Sequence, residues 1–440
     1  MAPPNICTNP RLDGFADVPI QLSHHSAWNQ TFEPTNAIAE NAPITFTIPP
    51  SPQFINLSRT RLKIKVKLTA EDGSPLINDE TNTTDKGRFA LVCNPIASLF
   101  KSAKLLVQGT TLTPSGDFYG YKAFIDTLFS ATQDSKHTLD MNGFVLDSAE
   151  AHNNTNDGFK TRAKLANGSA VMEFSGRPAI DVLKNGKNLI NNVKVEFIFY
   201  PQTHEFCIQR ASTSTKNAKY QIMEAKLTIR KEELDPTVSQ IINSNLLKKN
   251  WLLTYPMTSI KMFNIPTGSY QFTANNIFLG KVPNFILVYF VKAAGFTGDV
   301  KTNPFWFSPG EDIRTIIVTK DGVPIPNMLP PSICLSEDDG LELTDTYESL
   351  LDVNGKSGLT STGLYFPQSK LAKGLFFYGA NFQPDTENDD HVSPRSDGTV
   401  DVKVIYNKGT AEAYEMMVFG EHDVRTEITA ARNVLHTFPL

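Results

Sequence analysis

Eight histidines, four cysteines and 46 carboxylates are the side chains of this sequence that could do acid–base, nucleophilic or metal chemistry. Their spacing argues against it. His24 and His25 are adjacent, and neighbours on a strand point to opposite faces, so the pair is badly placed to share a metal and reads as surface or interface. Cys7, Cys93, Cys207 and Cys334 lie far apart with no CxxC, which suits neither a zinc site nor a disulfide framework and reads as structural, reduced thiols. The acidic runs Glu337-Asp338-Asp339 and Glu387 to Asp390, the second beside His391, lack the alternating ligands, turn glycine and distal Glu of a calcium loop. Two carboxylates can flank a sugar bond in a β-sandwich hydrolase, but a chain this rich in them offers such pairs by chance. GxSxG, HExxH and a Gly-rich loop ending in Lys-Ser/Thr are all missing. The sequence therefore assigns no catalytic, cofactor-binding or metal-ligating residue and calls for no cofactor.

The elements that would position such residues read as β-strands. In Arg61 to Leu68, Leu62, Ile64, Val66 and Leu68 fall on one face and Arg61, Lys63, Lys65 and Lys67 on the other, the period of a half-buried antiparallel strand. The four cations read first as a solvated face that discourages edge pairing, and second as a contact to nucleic acid or an acidic neighbour. Ile44 to Ile48 alternates likewise and ends at Pro49-Pro50.

These elements recur. Asn94-Pro95, the apolar run Ala103 to Val107, Gly109, the segment Tyr119 to Phe129 and the alternating Val193 to Ile198 are answered about 210 residues downstream by Asn303-Pro304, Ile313 to Val318, Gly322, Tyr347 to Leu351 and Val400 to Ile405. The partner of Arg61 to Leu68 is Pro283 to Val291, apolar on both faces, which predicts cover on both sides by a neighbouring domain or subunit. The polar stretches 71–88, 131–167 and 381–399 read as long loops. Between the halves, Asp235 as N-cap, Pro236 at the first turn and the stripe Val238, Ile241, Ile242 and Leu246 predict a helix, with Lys248 and Lys249 at its C-terminal end. The layout expected is an extended N-terminal arm over 1–42, a first β-domain over 43–230, a connecting helix over 231–250, a second β-domain over 251–425 and a tail over 426–440.

A chain of 440 residues suits two domains. A net charge of −5 argues against broad nucleic-acid binding. The N-terminus lacks a secretory pattern, and the most apolar run, 285–294, is shorter than the roughly 18 residues a transmembrane segment needs, so the expectation is a protein made in the cytosol.

The stretches LDGFADVPIQ from Leu12, ITFTIPPSPQFINLSRTRLKIKVKL from Ile44, YGYKAFIDTLF from Tyr119, TYPMTSIKMFNIPTG from Thr254, NNIFLGKVPNFILVYFVKAAGFTGDVKTNPFWF from Asn275 and AYEMMVFGEHDVRTEI from Ala413 together resemble the major capsid proteins of Polinton/Maverick elements and adintoviruses. The resemblance covers most of the chain outside the long loops. It departs at Phe54-Ile55-Asn56-Leu57, where relatives tend to carry a Tyr-Ile-Asp-Leu-like run. What it implies is an all-β double jelly-roll, two tandem eight-stranded β-sandwiches with a short linking helix. It further implies a non-enzymatic, hexon-like shell protein whose partners are itself as a homotrimer, the neighbouring capsomers, and penton or minor capsid proteins. Such a protein would be made in the host cytoplasm, assemble there or in the nucleus, and reside in the icosahedral capsid of the virion, with no direct sequence-specific nucleic-acid contact. The alternative is a two-domain β-sandwich that binds or processes glycans, against which the three tryptophans of the chain count.

Overall fold

A computed structural model describes residues 21–76, 78, 88–113, 116–211, 217–325, 330–336, 340–355, 363–383 and 396–437. The first half supplies β1 (His24–Phe32), β2 (Ile44–Ile48), β3 (Phe54–Ala70), β4 (Phe100–Val107), β5 (Thr110–Thr111), β6 (Val171–Gly176), β7 (Val195–Pro201) and β8 (Ala218–Leu234). They form two antiparallel sheets, in the orders β1-β8-β3-β6 and β2-β7-β4-β5. The second half supplies β9 (Trp251–Ile265), β10 (Gln271–Ala274), β11 (Phe285–Lys292), β12 (Ile313–Lys320), β13 (Val323–Ile325), β14 (Tyr378–Asn381), β15 (Val400–Tyr406) and β16 (Tyr414–Ile428). Its sheets run β9-β16-β11-β14 and β10-β15-β12-β13, so the two halves share one topology, strand for strand. In each half the first and last strands pair, and the chain crosses between two facing sheets, which is the jelly-roll connection.

Four helices matter to the junction: α1 (Tyr119–Ser130), α2 (Asp157–Leu165), α3 (Pro236–Leu246) and α4 (Thr344–Val353). α1 lies between β5 and β6, and α4 between β13 and β14, the same slot of the repeat.

The local rules explain most of the strands. On β3, Leu62, Ile64, Val66 and Leu68 are buried and the cations alternate outward. Two of those cations are matched across the sheet, Lys63 with Glu173 at 2.8 Å and Lys65 with Glu224 at 2.5 Å, so the stripe is a solvated face laced to its neighbours. The Glu224 carboxyl is held down at about 2, first by its hydrogen bonds to Lys226 and Lys65. α3 forms as its cap predicts, with Asp235 accepting from the Thr237 N–H at 2.8 Å. Of its expected apolar stripe, however, only Leu246 is buried, and Ile241 is 54% exposed.

Three expectations change. Part of the segment read as an arm orders against its own chain: β1 pairs along β8 from His24 to Phe32, because the edge of that sheet offers free hydrogen-bonding groups. The polar stretch 131–167 is not simply a surface loop. Asn156 caps α2 by accepting from the Phe159 N–H at 3.1 Å, and Phe159 and Ala163, four residues apart, bury one face of that helix. The tail adds a strand as well, Val434–Thr437, on the end of β16.

Candidate functional site

β11 is buried along its length, Ile286 to Val291, as its sequence requires. The cover comes from within the chain. Tyr289 meets Phe307 at 5.1 Å and Phe377 at 5.7 Å, and Phe290 meets Phe376 at 6.1 Å. Over this layer lies α1 of the first half: Phe124 stacks on Phe305 at 5.1 Å and meets Phe307 edge-on at 5.4 Å, while Tyr121 lies 5.3 Å from Phe305. Phe129, at the end of α1, meets Phe377 at 5.4 Å. Each such ring pair adds about 0.5–1.5 kcal/mol beyond its buried area, so this layer welds the halves. A single apolar core runs through both.

Two buried charge clusters sit at the same junction. In one, Lys122 on α1 contacts Asp126 at 2.6 Å and Asp181 at 2.8 Å, and Lys184 reaches Asp126 at 3.1 Å and Asp181 at 3.3 Å. Asp181 also accepts the Thr258 N–H of β9 at 3.0 Å, which ties the cluster to the second half. Burial pushes the Asp126 carboxyl up, but Lys122 and Lys184 outweigh it and hold the group below its ordinary value. Burial pulls Lys184 down, and Asp126 and Asp181 overcome it. Burial also raises the nearby Glu421 of β16 to about 7, against the pull of Lys184. In the other cluster, Arg162 of α2 holds Asp147 at 2.7 Å, Gln209 at 2.7 Å and the Leu91 carbonyl at 2.9 Å, and it also donates to the Val145 carbonyl. Asp147 in turn accepts from Asn303 of the second half at 2.7 Å.

The charged groups of both clusters are paired with one another. The cavity beside Lys122, Asp181 and Thr258 measures about 50 Å³, and one lined by Glu40, His204 and Tyr220 about 210 Å³. Both fall short of the roughly 300–1,000 Å³ of a small-molecule site. The arrangement can pin two domains together.

The residues weighed for chemistry are scattered. His24 lies 3.5 Å from the buried Glu232, and His25 is exposed. Cys93 and Cys207 are buried, and burial pushes the Cys93 thiol up to about 12 and Cys207 well above its usual range, so neither is a nucleophile at neutral pH. Cys7, the run at Glu337-Asp338-Asp339 and the run from Glu387 with His391 lie outside the described residues. Among the described residues no three His, Cys, Asp or Glu side chains converge as a metal site, and no helix is long and apolar enough to cross a membrane. The departure at Asn56 has a physical reason: its amide donates to Glu232 at 2.9 Å, beside the Asn188 amide at 2.6 Å, where an aspartate would face a like charge. The clusters around Lys122 and Arg162 escaped the sequence reading because charged residues in polar surroundings carry no sign of burial.

No family model matches the sequence. An uncharacterized protein of Caenorhabditis elegans is 23% identical over 262 residues, and the match spans 59% of this chain and 61% of that curated relative. Among solved structures, a chain of the Sputnik virophage superposes with a TM-score of 0.65 at 10% identity, over 99% of this chain and 93% of that one. The mavirus major capsid protein follows at 0.59 and 13% identity, over 99% and 97%, and the Faustovirus major capsid protein at 0.55 and 10%, over 95% and 92%. With eight strands repeated in one order, welded side by side and superposable almost end to end on these viral proteins, the chain has the double jelly-roll fold of viral major capsid proteins.

Proposed function

We propose that this chain is a major capsid protein: three copies form a pseudo-hexagonal capsomer, and capsomers tile an icosahedral shell. The observation that carries the reading is the duplicated strand order, fused through one core into a rigid pair of similar domains. Three such pairs around an axis present six similar corners, which a single jelly-roll would need six chains to do. The charge clusters fit a scaffold better than an enzyme, since their groups satisfy one another. No observation favours the glycan reading.

The partners under this reading are further copies of the chain, first in the trimer and then between capsomers, with penton or minor capsid proteins at the vertices. The location is the virion, after synthesis in the host cytoplasm and assembly there or in the nucleus. The likeness of the quoted stretches to Polinton/Maverick and adintovirus proteins supports that origin, and the nematode relative fits an element carried in an animal genome. Size exclusion with light scattering, followed by negative-stain microscopy, tests the proposal. The expected result is a particle of three chain masses and hexagonal outlines; a monomer at every concentration, with no higher assembly, overturns it.

A further inference from the structure

The registers of the two opening strands expose a repeat within the repeat. In β1, Trp28 lies opposite Lys231 and Phe32 opposite Leu227; in β9, Trp251 lies opposite Ile428 and Tyr255 opposite Val424. The five-residue strips are Trp28-Asn29-Gln30-Thr31-Phe32 and Trp251-Leu252-Leu253-Thr254-Tyr255, with tryptophan, threonine and an aromatic ring at matching places.

The second strip is docked by the first half of its own chain. The Trp251 indole N–H donates to the Asn188 carbonyl at 3.1 Å and the ring lies 6.3 Å from Phe54. The Asn185 amide donates to the Thr254 carbonyl at 2.8 Å. Among the described residues the first strip has no such cover. Residues 27–31 are all exposed, Trp28 by 39%. Lys231 opposite it is only 5% exposed, lies 5.8 Å above the Phe32 ring, and has no carboxylate partner among the described residues.

The surface that docks Trp251 is where residues between β6 and β7 meet the start of β3: Ile55 and Leu189 exchange backbone hydrogen bonds of 3.1 and 2.8 Å, next to Asn188. The second half also has a backbone pair ahead of the corresponding strands. Lys281–Val282, before β11, pairs with Ser396–Asp397, before β15. Beside it Leu279 is held at a φ of 55° with its side chain 79% exposed. Among the described residues, one copy of the chain thus has a strip without its dock.

We propose that the Trp28–Phe32 strip of one copy seats on the second domain of a neighbouring copy, at Leu279 and the Lys281–Val282/Ser396–Asp397 pair. The contact repeats, between chains, the one Trp251 makes within a chain. Three such contacts close a ring of six domains with the same edge-to-dock direction throughout. This rests on the trimer proposed above.

The test uses the full chain and two charge insertions, Trp28→Asp and Leu279→Asp, placed on different domains so that a folding fault in one leaves the other informative. Wild type is expected to scatter as a trimer and each variant as a monomer, with circular dichroism unchanged. Acrylamide quenching, with Trp28→Phe as the reference, is expected to find Trp28 shielded in the wild-type protein. Trimers that survive both Asp substitutions, or a Trp28 fully open to quencher in a trimer, overturn the docking strip and leave the capsomer reading standing. A wild-type monomer overturns both.

Discussion

Glu421 and Arg162 show what single residues contribute at the junction. The Glu421 carboxyl titrates near 7 in the folded chain and near 4.5 when unfolded, so between those values the folded state holds the extra proton. Its contribution therefore favours folding at low pH and is lost as pH rises through about 7. Urea denaturation of Glu421→Gln should give a flatter dependence than wild type from pH 5 to 8, the difference being on the order of 2 kcal/mol; parallel curves would show that the carboxyl is relaxed by solvent. Arg162 is 3% exposed and makes hydrogen bonds to Asp147, Gln209 and two carbonyls. Removing it leaves the buried Asp147 carboxylate without its counter-charge, so Arg162→Ala is expected to cost about 3–5 kcal/mol in the same assay.

At the scale of elements, α1 and α4 fill one slot of the repeat and are used differently. α1 buries residues from Tyr119 to Ile125 and then Leu128 and Phe129, since one side faces its own sheets and the other the second domain. α4 buries only Thr346, Ser349 and Leu350 and turns Asp345, Glu348 and Asp352 outward. Phe124→Ala, at the centre of the aromatic layer, should therefore lower stability by about 3–5 kcal/mol, against less than about 0.5 kcal/mol for Glu348→Ala, as read from the urea midpoints. α3 is a connector with little to lose on its exposed side: Asp235→Ala should lower stability measurably through the lost cap, and Ile241→Ala much less. The glycine at 374 is required by its place, because it sits at a φ of +80° and a Cβ would come within 2.3 Å of the Trp306 ring.

Across the whole molecule, the continuous core predicts one cooperative unit. Calorimetry should show a single unfolding transition, and the two halves expressed apart should aggregate through the exposed ring layer. Two resolved transitions would mean that the layer joins the domains only loosely.

How much of this was legible follows from what is local. The alternation of β3, the two-faced apolarity of β11, the Asp235-Pro236 cap and the order of the repeat lie in short windows, where strand and helix periods act through the backbone alone. Those windows fixed the all-β character, the tandem layout and the linking helix. Helix α2 was hidden because its buried face needs only Phe159 and Ala163 amid polar residues, and β1 because an edge strand exposed on both faces has no alternation to read. Tertiary structure alone decided which faces meet: α1 on the rings around Phe305, Asp181 on β9, Asp147 on Asn303, and Trp251 against Asn188 and Phe54. Those contacts join residues far apart in the chain, and the free energy that selects them comes from shape and burial at the meeting of two domains, which no local pattern encodes.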